Sequence, residues 1–228
     1  MLDIKDVYRE FDRIGCCSFA TLGEKGGVES RIAHFFAHDE EGLYLRTMRS
    51  KPFYRQLAEG GMVSACGERT EAPCEWDEDN MPHFQPGCMM RVSGTVRELT
   101  QAEIAAKAAD NPMFNVAVHD MEKYPETCVF VMDNAHGERF DYDFNLTHRD
   151  HKVLRERFSW GNDAFDEPGL RIDPESCIAC GACAGVCSFK AIVPGPFYSI
   201  MGERCDECGN CYHVCPVGAV ASKGDLQQ

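Results

Sequence analysis

The most informative part of the sequence is Cys177-Ile178-Ala179-Cys180-Gly181-Ala182-Cys183-Ala184-Gly185-Val186-Cys187, in which four cysteines follow the spacing Cys-x-x-Cys-x-x-Cys-x-x-x-Cys. The same spacing returns between Cys205 and Cys215, and Pro216 follows its last cysteine. Further positions of the two copies match at the same offset: Gly181 with Gly209, Val186 with Val214, Ala191 with Ala219, and Ile192 with Val220. An internal repeat of this kind predicts two pseudo-symmetric halves, each too small to fold without a metal.

Cysteines at this spacing are typical of iron–sulfur proteins, because three thiolates of a run hold one cube and the fourth ligates the other cube. The predicted ligand sets are therefore Cys177, Cys180, Cys183 and Cys215 for one cluster, and Cys205, Cys208, Cys211 and Cys187 for the other. The segment from about Leu170 onward resembles the bacterial two-cluster ferredoxins. The resemblance implies a small α+β domain that holds two 4Fe-4S clusters.

Zinc binding and disulfide formation are two other uses of cysteine that fit this sequence less well. Zinc sites usually pair two Cys-x-x-Cys units across a spacer and do not add a third cysteine at the same interval. Disulfides need an oxidising compartment, whereas residues 1–10 are charged throughout and do not resemble a signal peptide. The first copy has Ser188 where the second has Pro216, but its four cysteines are intact. Iron–sulfur clusters in a reducing cytoplasm are therefore the prediction.

Composition limits the possible partners. The formal net charge of −14 makes the chain a poor nucleic-acid binder, because contacts to phosphate require a positive surface. No apolar run is long enough to span a bilayer. A two-cluster ferredoxin accounts only for the C-terminal segment, so the predicted division is a globular domain over 1–146, a linker over 147–169 and a ferredoxin domain over 170–228.

Upstream of the cysteines, local signals predict a mainly β domain with inserted helices. Apolar residues at helical spacing predict an opening helix over 3–13. Ser50-Lys51-Pro52 predicts a helix through Ala58 with Ser50 as N-cap, and Thr100-Gln101-Ala102-Glu103 predicts a capping box for a helix through Ala109. The predicted strands are 16–22, 28–36, 43–48, 62–66, 89–99 (broken near Gly94), 128–132 and 138–144.

Two segments have weaker patterns. Residues 67–87 have no clear period and are expected to form a long loop, in which Trp76 and Phe84 would either cover a ligand or pin the loop to the domain. In the linker, the apolar residues Val153, Leu154, Phe158 and Trp160 predict a short docking helix.

The order of these elements resembles the flavin-binding split barrel of the pyridoxamine 5′-phosphate oxidase family, which also contains flavin reductases and nitroimidazole-resistance-type proteins. The resemblance covers roughly Gly15 to Leu99. The stretches that carry it are Ser18-Phe19-Ala20-Thr21-Leu22, Ser30-Arg31-Ile32, Leu43-Tyr44-Leu45-Arg46-Thr47, Ser50-Lys51-Pro52 and Arg91-Val92-Ser93-Gly94-Thr95-Val96. It implies a split antiparallel β-barrel that binds FMN at a homodimer interface.

The FMN phosphate needs cationic and hydroxyl donors, and a helix N-terminus adds backbone N–H groups. By the resemblance, the phosphate and ribityl chain contact Arg46, Thr47, Ser50 and Lys51, the ring lies beside Arg31, Ile32 and Ala33, and the partner chain contributes near Arg91. Taken singly, the arginines are also consistent with solvated strand-end charges, and Ser50 with a simple cap. His34 follows the ring-side segment and is more typical of a structural histidine.

Together, these features predict an FMN-dependent oxidoreductase that passes electrons between two 4Fe-4S clusters and a flavin acting on a small molecule. A homodimer and an external ferredoxin or other redox donor are the expected partners. Two alternatives stay open: an electron carrier whose barrel is a docking or regulatory domain, and a barrel that holds F420 or haem in place of FMN.

Overall fold

The structure is a computed structural model that describes residues 2–70, 75–83, 87–142, 153–163 and 169–222. The described residues form two compact units, which fall within 1–69, 89–139 and 157–165 for the first and within 70–88, 140–156 and 166–228 for the second. Among them, no helix is both long enough and apolar enough to cross a bilayer. The domain boundaries expected from the sequence stay a prediction.

The helices are short and are distributed along the whole described chain. They are α1 (Ile4–Ile14), α2 (Pro52–Gly60), α3 (Gln101–Asp110), a 3-10 turn (Pro112–Phe114), α4 (Asn115–Lys123), α5 (Ala182–Gly185) and α6 (Asn210–Val214). The predicted capping box of α3 is confirmed, because the Thr100 side chain accepts from the Glu103 N–H and the Glu103 side chain accepts from the Thr100 N–H.

The strands fall into one large sheet and three two-stranded sheets. They are β1 (Cys17–Leu22), β2 (Val28–Ala33), β3 (Ala37–His38), β4 (Leu43–Met48), β5 (Met62–Thr70), β6 (Glu75–Trp76), β7 (Pro82–His83), β8 (Gly87–Glu98), β9 (Thr127–Tyr142), β10 (Val153–Trp160), β11 (Leu170–Ile172), β12 (Ile192–Val193), β13 (Ser199–Ile200) and β14 (Val220–Ser222).

The large sheet has the order β2-β1-β5-β8-β9-β4-β3, and β10 pairs with β9. The pairs β1–β2, β1–β5, β3–β4 and β4–β9 are antiparallel. The predicted fold class, an antiparallel sheet with inserted helices followed by a small α+β module, is therefore confirmed. Side chains at alternate positions of β4 contribute to two packing layers, one on each side of the sheet. Tyr44 faces a buried cluster with Phe36, Phe114 and Val131, which lies under α3 and α4.

The strands β5, β8 and β9 differ from their predicted bounds. For β8, the reason lies at Gly94. A Cβ at Gly94 would lie 2.2 Å from the Asn134 carbonyl oxygen, so glycine here permits close approach of β8 and β9 and does not break the strand. β9 is likewise one continuous strand where two were predicted. β5 extends to Thr70, and β6 pairs with β7 inside the predicted loop 67–87.

The expected docking helix in the linker is wrong, because residues 153–160 form strand β10. Phe158 and Trp160 are buried while Ser159 between them is exposed, which is the two-residue period of a strand. The Trp160 indole Nε1 donates to the Met132 carbonyl oxygen at 2.8 Å and ties β10 to β9. Phe158 and Trp160 therefore pack as buried residues of the large sheet.

The start of α2 also differs from the prediction. Its N-cap is Lys51, whose side chain makes no capping hydrogen bond, so Ser50 is not the N-cap. Pro52 occupies the first turn, where its missing N–H costs no intrahelical bond. Gly61, with φ of 63°, ends the helix in the left-handed region.

The C-terminal repeat is visible in the backbone. β11 pairs with β14, which joins the two ends of the cysteine region, and β12 pairs with β13 between the two cysteine runs. Gly181 and Gly209 precede α5 and α6 with φ of 78° and 81°. The preceding loops match too, because Ala179 and Glu207 have φ of 53° and 58°. The expected pseudo-symmetric halves are therefore confirmed at the level of the backbone.

Candidate iron–sulfur and flavin sites

One pocket of the C-terminal module is lined by Cys177, Cys180, Cys183 and Cys215. Its remaining wall is largely apolar and includes Ile172, Ile178, Tyr198, Val217 and Val220. These four cysteines are the first predicted ligand set, and the last of them comes from the second copy of the motif. Soft thiolates around an apolar pocket are a donor set that fits an iron–sulfur cluster.

Three members of the second predicted set, Cys187, Cys205 and Cys211, lie near enough to one another for their charges to interact. Burial, together with the charges of Cys205 and Cys187, raises the pKa of Cys211 to about 11. Burial also raises the pKa of Cys205, and the charge of Cys187 adds to that effect. Cys208 is exposed on the loop between Cys205 and α6. Within the described residues, no three His, Cys, Asp or Glu side chains converge where a single metal ion could bind.

Backbone N–H groups point at several of these sulfurs. The N–H of Ala191 lies 3.3 Å from Cys187 Sγ, and that of Ala219 lies 3.2 Å from Cys215 Sγ. Burial opposes the charged form of Cys215, but N–H groups of residues 217–220 outweigh it and lower the pKa of this thiol. Since the thiolate is the form that binds metal, the loops are arranged to favour ligation.

Arg31, the first predicted flavin contact, packs against α2. Its guanidinium donates to Thr21 Oγ1 and to Gln56 Oε1, each at 2.7 Å, and lies 4.3 Å from the centre of the Phe53 ring. Burial lowers the pKa of Arg31, although Glu29 opposes this shift. Gln56 was missed in the sequence, where its only signal is a polar residue in the buried stripe of an amphipathic helix.

The other predicted contacts near α2 differ in exposure. Ser50 and Lys51 are exposed at the start of the helix, whereas Thr47 is buried on β4. Ile32 is 71% exposed beside Arg31, and Ala33 is partly exposed. Arg31 and Ile32 follow each other on β2, so the Arg31 side chain faces α2 while the Ile32 side chain faces outward.

The side chains of Arg46 and Thr47 lie on opposite sides of β4. Successive residues of a strand face opposite sides, and Arg46 shares its side with Tyr44. The Arg46 Nε lies 3.2 Å from Asp120 Oδ2 on α4, and its guanidinium lies 5.3 Å from the Phe36 ring centre. Among the described residues, one buried terminal nitrogen of Arg46 has no hydrogen-bond partner. Arg46 thus faces α4.

Arg91 points outward from β8 and pairs with Glu138 at 2.9 Å, with about half of its side chain exposed. His34 is exposed, as is Trp76 on β6, and neither lies in a pocket described above. Phe84, the second aromatic residue proposed for the 67–87 segment, lies outside the described residues. The positions of Arg91, His34 and Trp76 do not identify a catalytic acid or base.

Residues 170–193 and 198–221 each match the family model for a 4Fe-4S binding domain. The C-terminal module therefore consists of two 4Fe-4S binding repeats. The match covers both cysteine runs and leaves the upstream domain outside it. No curated protein sequence matches the chain.

Several solved structures are similar to the chain. A NimC/NimA family protein from Clostridium acetobutylicum is 17% identical with a TM-score of 0.46, covering 68% of this chain and 91% of its own. An FAD and heme binding protein from Mycobacterium smegmatis is 12% identical with a TM-score of 0.49, covering 73% and 88%. A pyridoxinephosphate oxidase family protein from C. acetobutylicum is 13% identical with a TM-score of 0.39, covering 71% and 98%. Because these TM-scores are below 0.5, what the names say of binding concerns those proteins alone.

Proposed function

We propose that this chain is an FMN-dependent oxidoreductase with two 4Fe-4S clusters, which exchanges electrons with an external donor and acts on a small molecule. The observation that carries the proposal is the pocket formed by Cys177, Cys180, Cys183 and Cys215, because it joins cysteines from both 4Fe-4S binding repeats. When bound, such clusters supply single-electron transfer, and FMN exchanges one or two electrons. The protein's own part is to hold and tune these groups.

For the clusters, the proposed ligands are the eight cysteines in the crossed sets given above. The N–H groups that face Cys187, Cys205 and Cys215 would stabilise the thiolates, since hydrogen bonds to a charged acceptor favour the charged form. The apolar wall with Ile178 and Val217 would limit the approach of water to one cluster.

For the flavin, the proposed phosphate contacts are Lys51 and Ser50 at the start of α2, with Thr47 and Arg31 beside them. Arg31 is held by Thr21 and Gln56, so its position does not depend on the ligand. Ile32 and Ala33 would lie against the ring. Arg46 would have to leave Asp120 to take part.

We further propose that two copies associate through the outward face of β1, β2 and β5. This face carries exposed apolar side chains, with Ile32 at 71%, Val28 at 74%, Leu22 at 65% and Met62 at 58% exposure. Leu22 pairs with Val28 across the strands, and Ser18 pairs with Ile32, so these residues share one side of the sheet. A second copy would cover them, and Arg91 of the partner would approach the flavin.

The test is anaerobic purification followed by iron, sulfide and flavin analysis and a reductive titration. We expect FMN to be retained and to become reduced when a ferredoxin or dithionite reduces the clusters. A holo-protein whose flavin stays oxidised beside fully reduced clusters would contradict electron exchange between them. Persistent lack of flavin after reconstitution would favour the electron-carrier alternative, and a haem or deazaflavin spectrum would replace FMN in the proposal.

A further inference from the structure

Arg155 is a largely buried cation in the unit that contains the cysteine repeats. It lies on β10, and its backbone N–H donates to the Glu203 carbonyl oxygen at 3.0 Å. Its side chain is only 12% exposed and donates to Glu207 Oε1 at 2.8 Å. The guanidinium also lies 5.1 Å from the centre of the Phe140 ring. These contacts fix the charge of Arg155 in one place.

Glu207 connects this cation to a predicted cluster ligand. Its backbone N–H donates to Cys205 Sγ at 3.3 Å, while its carboxylate accepts from Arg155. Through Glu207, the ion pair therefore lies beside the sulfur of Cys205.

The first repeat lacks this arrangement. The residue at the position of Glu207 is Ala179, whose φ of 53° matches the 58° of Glu207. The backbone loops are thus equivalent, but only the second carries a carboxylate that holds an arginine.

We propose that Arg155 and Glu207 are positioning residues that set the reduction potential of the cluster held by Cys187, Cys205, Cys208 and Cys211 apart from that of the other cluster. The inference rests on the proposed function, because it requires both clusters. Each one-electron reduction adds one negative charge to a cube. A fixed cation nearby stabilises that added charge, and a fixed carboxylate opposes it, so the two side chains have effects of opposite sign.

The experiment is a one-electron redox titration of the full chain under anaerobic conditions, with dithionite as reductant and EPR as readout. Arg155→Gln keeps a hydrogen-bond donor for Glu207 and should lower the reduction equilibrium constant of one cluster by about tenfold, or about 59 mV for a one-electron couple. Glu207→Gln should raise the same constant. Arg171→Gln on β11 is the matched control, since it removes the same charge from the same module and should leave both clusters unchanged.

Ala179→Glu extends the test to the first repeat, because it adds the carboxylate that this repeat lacks. It should lower the reduction potential of the cluster held by Cys177, Cys180, Cys183 and Cys215. The inference is overturned if Arg155→Gln leaves both potentials unchanged, or if it and Glu207→Gln shift a potential in the same direction. Iron and sulfide content separates this failure from failure of the proposed function. A wild-type chain that does not take up two cubes overturns both, whereas full cluster content without these shifts overturns only the tuning role.

Discussion

Cys215 is the residue that best shows how the two cysteine runs of the C-terminal module are combined. It closes the second cysteine run along the chain, yet it lines the pocket of Cys177, Cys180 and Cys183. The N–H of Ala219 supports its sulfur at 3.2 Å. Each cysteine run thus supplies three ligands to one proposed cluster from a single loop, and its fourth cysteine goes to the other cluster.

Cysteine-to-alanine variants give a direct test of this crossed arrangement. We expect Cys215→Ala to lose the same cluster as Cys180→Ala, and Cys187→Ala to lose the same cluster as Cys208→Ala, because each pair removes ligands of one cube. Iron content and the EPR spectrum of the remaining cluster make the comparison. Cys66→Ser, an exposed upstream cysteine, is the control that should retain both clusters. Equal residual spectra for Cys215→Ala and Cys208→Ala would contradict the crossing.

Lys107 shows a different role for a single charge, since it anchors α3 to the turn before β4. Its Nζ lies 2.6 Å from Asp39 Oδ2 and 2.9 Å from Glu41 Oε2. Burial alone would raise the pKa of both carboxyls, but hydrogen bonds outweigh it, from Lys107 to both, from Tyr44 to Asp39 and from Arg97 to Glu41, so both pKa values lie below their usual range. The stabilisation is therefore complete above the unfolded pKa of about 4 and is lost as pH falls through the folded pKa.

Lys107→Met should consequently destabilise the fold more at neutral pH than at low pH. We expect the difference in free energy of unfolding from wild type to shrink below about pH 4, where the carboxyls become protonated. Urea unfolding followed by the fluorescence of buried Trp160 measures it. Lys123→Met, an exposed lysine on α4, is the control. A Lys107→Met difference that stays constant with pH would contradict the assignment.

Among the secondary-structure elements, β8 and β9 approach each other closely at two glycines. A Cβ on Gly94 would lie 2.2 Å from the Asn134 carbonyl oxygen, and one on Gly137 would lie 2.2 Å from the Arg91 carbonyl oxygen. Such contacts involve backbone atoms, which cannot move aside as a flexible side chain can. The sequence signal of Gly94 was read as a strand break, and the structure assigns it to this close approach.

Gly94→Ala should therefore destabilise the sheet by about 1–3 kcal/mol, the usual cost of overpacking. Gly27→Ala is the matched control, because a Cβ there meets nothing within 4 Å and the backbone is not left-handed. Chemical denaturation of both variants gives the comparison. Equal stability of the two variants would show that the strands separate at little cost.

Elements with strong local signals were predicted well, and those that depend on distant partners were not. β4 has the predicted bounds, and the capping box of α3 formed as expected, because each is encoded within a few residues. β10 was missed because its apolar residues pack against β9, and a pattern of two buried residues does not by itself separate a strand from a short helix.

For the molecule as a whole, the proposed association of two copies depends on the exposed apolar face of β1, β2 and β5. Ile32→Glu places a charge on this face and should convert a dimer to a monomer, since burying an unpaired charge is costly. Flavin content should fall with it. Sedimentation velocity measures the change, and Val116→Glu, an exposed apolar position on α4, is the control that should remain dimeric. A wild-type chain that is monomeric at micromolar concentration would contradict the proposed association.

The two cysteine runs, their 4Fe-4S binding repeats, the internal symmetry and an upstream antiparallel sheet with inserted helices can all be predicted from the amino-acid sequence. These depend on spacing, period and caps, which are local properties of the chain. The contact of Arg46 with Asp120, the bonds of Arg31 to Gln56 and Thr21, and the pair of Arg155 with Glu207 are visible in the three-dimensional structure alone. Such contacts join residues far apart in the sequence, and the direction of a side chain depends on the packing that surrounds it.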